Sequence, residues 1–283
     1  MTTSYLNIVT FLLSTIFYYL ALKPNLKYDM IVDPEKFKKF TSNSYMYLAC
    51  YMLLVIVVQF IVNAYVITSS CGGNITDNMG AAGVFTFIPW TFIFGALLIV
   101  LIIYPGFKTA FSDVIGYFYV ASSTNKILTD LLIDKDVQQK IDGDAALTPE
   151  KKAALENAAD TIIKIVGNTS ILINQIVPYN FENYWKILTP LMKEKYQNNS
   201  PESLDMKNKL FDLVVTRDNV GEAMWFIYTG ILLTSIVQLK ISTRGCSNSP
   251  QTMEQNYQTY LQQEKTAQEA QQQATSTTYT ITN

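Results

Sequence analysis

Histidine is absent from all 283 residues of this chain, which removes the commonest general base and metal ligand available near neutral pH. The three cysteines, Cys50, Cys71 and Cys246, are too few and too widely spaced for a zinc site, whose ligands come in close pairs. No phosphate-cradling glycine loop and no nucleophile elbow occurs. Asp134, Asp136, Asp142 and Asp144 form an acidic cluster of the kind hard cations favour, but Gln138 stands where a calcium-binding loop needs a third acidic ligand. The cluster therefore reads as a solvated loop. These absences point away from catalysis, and we expect a protein that is not an enzyme and has no cofactor or metal.

Charge is also missing from the interiors of four long apolar segments, at about residues 5 to 22, 46 to 67, 84 to 104 and 224 to 241. Each approaches the ~20 apolar residues that span a ~30 Å hydrocarbon core as a helix. Ion and proton pathways usually place an ionisable side chain at depth, and none is present in these segments. An arginine-rich span, a filter sequence and inverted repeats with broken helices are likewise missing. An oligomeric ion channel or transporter remains the alternative reading. Met1-Thr2-Thr3-Ser4 carries neither a basic region nor a small-residue cleavage site, so the first span is expected to be retained as an anchor.

The expected architecture is all-α: a four-span transmembrane helical bundle, a small α-helical cytoplasmic module between spans 3 and 4, and a polar C-terminal arm. Residues 1–104 hold the first three spans and their short loops, 105–223 the extramembrane module, 224–241 the fourth span and 242–283 the arm. Orientation follows from the loops. The first carries Lys23, Lys27, Lys36, Lys38 and Lys39, while the second, Thr68 to Gly83, has Asp77 as its only charge. Lysine-rich flanks stay in the cytoplasm, which places the first loop and the middle module inside and the second loop and the arm outside, although Lys240 and Arg244 oppose the last step.

On this topology Cys71 and Cys246 share the non-cytoplasmic side just beyond span ends, so either they pair, if their Cα atoms lie within ~7 Å, or they remain free thiols. Asn74-Ile75-Thr76 is a glycosylation sequon on the same side. Within the second span Gln59 and Asn63 are four residues apart and share a helix face, as expected of interhelical polar contacts worth ~0.6 to 2 kcal/mol each.

The middle segment reads as helical almost throughout. Thr148-Pro149-Glu150 signals a helix start and Gly167 its end. Leu155, Ala158, Ala159, Ile162, Ile163 and Val166 repeat at helical spacing between them. Further helices are expected from Asn168 to Val177, from Phe181 to Tyr196, and from Ser200-Pro201 through Arg217 into the fourth span. Its 13 Lys plus Arg against 15 Asp plus Glu between Pro105 and Gly221 exclude a nucleic-acid groove. Phe111, Tyr117, Tyr184 and Trp185 are the candidate interface anchors, since aromatic side chains dominate protein contacts. The arm, with nine Gln between Gln251 and Gln273 and then a Thr-rich run, cannot bury a core of its own. A polar helix over about 251 to 273 fits its propensities.

At the membrane exit of the third span, Pro105 ends the preceding hydrogen-bond pattern, Gly106 is free to take a positive φ, and Ser112 or Asp113 is placed to cap the next helix, Asp113 to Leu132. The whole stretch, Tyr104-Pro105-Gly106-Phe107-Lys108-Thr109-Ala110-Phe111-Ser112-Asp113-Val114-Ile115-Gly116-Tyr117, resembles a proline-glycine-aromatic, phenylalanine-serine, glycine-tyrosine pattern in multi-span membrane proteins of large icosahedral DNA viruses, the chlorella viruses among them. The resemblance implies a minor capsid protein, present in multiple copies per particle, in a virion internal membrane derived from host endoplasmic reticulum. Its partners would be membrane lipid and capsid or other virion proteins, and its role that of a structural tether between that membrane and the icosahedral shell.

Overall fold

The structure, a computed structural model, describes residues 5–132, 169–198, 200–244, 246 and 250–276. The helix expected between Thr148 and Gly167, the acidic cluster Asp134 to Asp144 and the end of the Thr-rich run lie outside these residues. The described residues are helical. They contain no strand, and Leu132 and Met192 form an isolated antiparallel bridge.

The main helices among the described residues are α1 (Leu6–Leu22), α2 (Tyr28–Val32), α3 (Pro34–Cys71), α4 (Ile75–Ile103), α5 (Tyr117–Leu131), α6 (Thr169–Gln175), α7 (Phe181–Leu188), α8 (Glu194–Gln197), α9 (Pro201–Thr243) and α10 (Pro250–Ser276). Helices α3, α4 and α9 are long and apolar enough to cross a membrane, and α1 is a shorter apolar helix.

Local chemistry sets the ends. The Asp33 carboxylate accepts the backbone N–H groups of Glu35 and Lys36 at 3.0 and 3.2 Å, with Pro34 at the first helical position, where its missing N–H costs nothing. Helix α3 therefore begins twelve residues before the apolar run that marks it in the sequence. Ser200 and Pro201 start α9 in the same way, the Ser200 hydroxyl accepting the Ser203 N–H at 3.1 Å.

The expected loop Thr68 to Gly83 is much shorter in the structure. Gly72 and Gly73 adopt φ of 73° and 79°, a conformation that side chains resist, and α4 starts at Ile75, where the Asn74 N–H donates to the Asp77 carboxylate at 3.2 Å. Near the middle of α4 the chain makes one π-helical turn, Trp90–Phe94, between Pro89 and Gly95. Pro89 supplies no N–H and removes a normal helical bond.

The membrane exit also differs from expectation. Gly106 does not take a positive φ. Instead Pro105–Lys108 forms a 3₁₀ turn, and helical backbone continues through Thr109–Phe111 and a π-turn at Ser112–Gly116 into α5. Ser112 and Asp113 thus lie inside a helical path rather than capping one. The helix expected from Phe181 to Tyr196 is broken into α7, a 3₁₀ turn at Thr189–Leu191 containing Pro190, and α8.

The chain folds as two compact units, each assembled from separated segments. One comprises Met1–Ser14, Leu53–Phe94 and Gly230–Asn283, the other Thr15–Met52 and Gly95–Thr229. The first has an apolar core of Val62, Val66, Ile67, Ala82, Val237 and Ile241. In the second, α5 buries Val120, Thr124, Leu128 and Leu131 and α7 buries Phe181, Trp185 and Leu188, both at helical spacing. These faces meet Leu210, Phe211, Val214 and Val215 of α9, with Tyr28 and Ile31 of the α2 region packed alongside.

Candidate functional site

In the second unit, four charged side chains from distant parts of the chain converge. Lys23 follows α1 directly, Lys108 closes the 3₁₀ turn after α4, and Asp218 and Glu222 occupy one face of α9. The Lys108 ammonium lies 3.0 Å from Asp218 and 2.8 Å from Glu222, while Lys23 pairs with the other Glu222 oxygen. The Tyr19 hydroxyl donates to Glu222 at 3.1 Å. All four side chains are mostly buried, at 13 to 17% exposure. Burial works against the charge on Lys108, but the carboxylates of Glu222 and Asp218 outweigh it and hold the ammonium above its ordinary pKa.

Aromatic packing surrounds this cluster. Tyr18 and Tyr51 stack at 4.5 Å, and Tyr51 and Phe226 at 5.6 Å, which joins α1, α3 and α9. Phe107 stacks on Trp225 at 4.9 Å, and the Trp225 indole N–H donates to the Phe107 carbonyl at 2.9 Å. The helices approach closely because two glycines allow it. A Cβ on Gly221 would fall 2.6 Å from Cβ of Ser112, and one on Gly116 2.5 Å from the Arg217 carbonyl oxygen.

Arg217, fully buried, ties α6 to α9 by donating to the backbone carbonyls of Ile173 and Ile176 and, at 3.1 Å, to the Asn174 side-chain oxygen. Asp113 stands 3.8 Å from its guanidinium. A third ionic contact joins Lys207 to Glu182 at 2.8 Å, where the Tyr28 hydroxyl also donates at 2.6 Å. Burial opposes ionisation of Glu182, yet the hydrogen bonds from Lys207 and Tyr28 hold its carboxyl below the ordinary glutamate value.

The sequence-selected aromatics separate by environment. Trp185 is buried in the core with the Lys207 ammonium 5.4 Å from its ring centre, so its area is spent within the fold rather than on a partner. Tyr117 and Tyr184 are half-buried against the same core, and Phe111 packs edge-on to Trp225 at 4.9 Å. Phe118, Tyr119 and Tyr179 are among the more exposed aromatics, at 75, 73 and 68%. Pro105 and Gly106 begin the turn that delivers Lys108.

In the first unit, Gln59 and Asn63 do share contacts. The Asn7 amide donates to Asn63 Oδ1 at 2.5 Å, and Asn63 donates onward to Thr86 Oγ1 at 2.8 Å. Gln59 donates to the Asn7 carbonyl at 3.0 Å. The chain of amides links α1, α3 and α4. A disulfide joins Cys71 to Cys246 with their Cα atoms 5.3 Å apart, leaving Cys50 as an exposed free thiol.

Among the described residues no group of three or more Asp, Glu or Cys side chains is arranged to hold a metal. The charged cluster has the character of a clamp: it holds helix ends against each other. Comparison with protein-family models, with curated proteins and with solved structures finds no match to this chain.

Proposed function

We propose that this chain is a structural membrane protein whose four apolar helices cross a bilayer and whose helical module couples that bilayer to an adjoining protein layer. One observation carries the reading. Helix α9 runs unbroken for 43 residues, about 64 Å at 1.5 Å per residue, so a single helix carries both an apolar run and residues of the module core. The Lys23, Lys108, Asp218 and Glu222 clamp pairs this helix with the ends of two other apolar helices. Such continuity suits a tether, which must pass force between its ends, better than a mobile carrier.

The resemblance of residues 104–117 makes the capsid shell of a large icosahedral DNA virus the adjoining layer, with the module facing the shell from a virion internal membrane. Many copies, each contributing a modest contact, would hold the shell through repetition. Crosslinking mass spectrometry on particles or membranes containing the protein tests this directly. Repeated crosslinks from Lys186 and Lys193 to shell subunits are the expected result. Crosslinks from these lysines only to other copies of the chain would replace the tether with an oligomeric assembly such as a pore.

A further inference from the structure

Within the second unit, the helical path that leaves α4 at Pro105 and continues into α5 runs antiparallel to α9: Lys108 pairs with Glu222, Ser112 meets Gly221 and Gly116 meets Arg217. Its inner face is buried at Ser112, Gly116, Val120, Thr124 and Leu128. Its outer face changes character once. From Ile102 to Tyr119 every exposed residue is apolar or aromatic, and Phe107, Val114, Ile115, Phe118 and Tyr119 form a ridge at 37 to 75% exposure. From Ser122 to Asp130 every exposed residue is polar: Ser122, Ser123, Asn125, Lys126, Thr129 and Asp130. Helix α9 changes at the same level. Asp212 is its last exposed charge before Thr229, and the charges that follow, Arg217, Asp218 and Glu222, are turned inward beside partners. Because Gly116 sits against Arg217, Tyr119 and Leu213 lie at nearly the same height on the two helices, each about 4 to 6 Å beyond that contact at ~1.5 Å per residue.

We infer that the ridge is a lipid-contacting surface covered by the bilayer, and that the water boundary on this side of the unit falls between Tyr119 and Ser122 rather than where α4 ends at Ile103. The ridge continues the exposed apolar surface of α4 at Ile99, Ile102 and Ile103 without a break, and an uncovered apolar face of this extent is unusual in water. Agreement between two helices decides the occupant. A bilayer imposes one planar limit on every helix it surrounds, so the last exposed charge of α9 and the first polar residue of α5 should stand at one height, as they do; a protein partner sets no such common limit. The ridge carries no Lys or Arg, so it meets lipid through apolar burial, with the amphipathic ring of Tyr119 at headgroup level, and not through attraction to anionic lipid. The inference rests on the membrane residence proposed above and is independent of any capsid partner.

The test uses the full-length chain with Cys50→Ala and the Cys71–Cys246 disulfide kept, reconstituted in phosphatidylcholine vesicles. A spin label is attached in turn to Ile99→Cys, Val114→Cys, Phe118→Cys and Lys126→Cys. Power-saturation electron paramagnetic resonance then reads its collisions with oxygen, which concentrates in lipid, and with a nickel chelate, which stays in water. Positions 114 and 118 should favour oxygen as position 99 does, and the preference should reverse at position 126. A nickel preference at 118 with an oxygen preference at 99 overturns the inference and leaves membrane residence standing, whereas a nickel preference at 99 as well overturns both. Shielding of position 118 from both reagents means that a second copy or another protein covers the ridge, and it also overturns the inference. Phosphatidylcholine with a photoreactive group near its glycerol backbone gives a second readout on the unaltered chain. Adducts should fall between Val114 and Tyr119 and not between Ser122 and Leu131, and their absence from Val114–Tyr119 overturns the assignment.

Discussion

Gly116 faces the backbone of Arg217 so closely that a methyl group on it would stand 2.5 Å from the Arg217 carbonyl oxygen. Backbone cannot rotate away as a flexible side chain does. Gly116→Ala gains up to ~1 kcal/mol of helix propensity, but separating the two helices should cost more, about 1 to 3 kcal/mol. Thermal unfolding in detergent, followed by loss of helical circular dichroism, should therefore show a lower midpoint. An unchanged or higher midpoint would mean that the helices part easily here.

Replacing Glu222 by Gln removes the carboxylate that Lys23 and Lys108 share. Lys108 keeps Asp218, whereas Lys23 is left buried without a carboxylate, a situation that typically costs about 3 to 5 kcal/mol. The double change Lys23→Met with Glu222→Gln should recover a substantial part of that loss. A thermodynamic cycle across the four proteins measures the coupling, and a value near zero would remove the clamp from the account of stability.

The thiol count distinguishes the disulfide from free cysteines. Denatured, non-reduced protein should take up one maleimide-polyethylene glycol label, on Cys50, and reduced protein three, read as steps on a gel. Because the bridge closes a loop of 175 residues, Cys246→Ser should destabilise the fold by roughly 3 to 5 kcal/mol on the chain-entropy account.

Acid should loosen the module. A glutamate held below its ordinary pKa binds fewer protons when folded than when unfolded, so its contribution is present above the unfolded value of ~4.3 and lost as pH falls through the folded one. The protection of the Phe181–Leu188 peptide against hydrogen exchange, relative to the intrinsic rate at each pH, should fall below about pH 4 in the wild type. In Glu182→Gln exchange should already be faster at neutral pH and change less on acidification.

Asn63 links Asn7 to Thr86, and Asn63→Leu removes both hydrogen bonds while keeping the same number of side-chain heavy atoms. A loss of about 1 to 2 kcal/mol is expected, measured by steric trapping or by unfolding in mixed micelles. A gain in stability would show that apolar packing serves this position better.

The helices were legible where a single physical signal dominated. Apolar runs marked α1, α3, α4 and α9, and Ser200-Pro201 located the start of α9. The short turn at Gly72-Gly73 was hidden because the uncharged, small residues from Thr68 to Gly83 read equally well as a loop, although Asn74 and Asp77 carried the helix-start signal. The outward direction of Phe118 and the burial of Trp185 depend on which side of each helix meets the core, and periodicity alone does not choose between aromatic neighbours. The clamp was least legible. Lys23, Lys108 and Glu222 each look like an ordinary charge beside an apolar run, and only folding brings residues up to 199 positions apart into contact.

That separation bears on how the protein is made. While the chain is being synthesised, Lys23 and Lys108 exist long before Asp218 and Glu222 have been translated, and the core that holds α5 and α7 waits on Leu210 to Val215. Completion of α9 therefore acts as the licence for the second unit to close. A chain cut short before residue 218 would keep two lysines without their acidic partners at the ends of apolar helices.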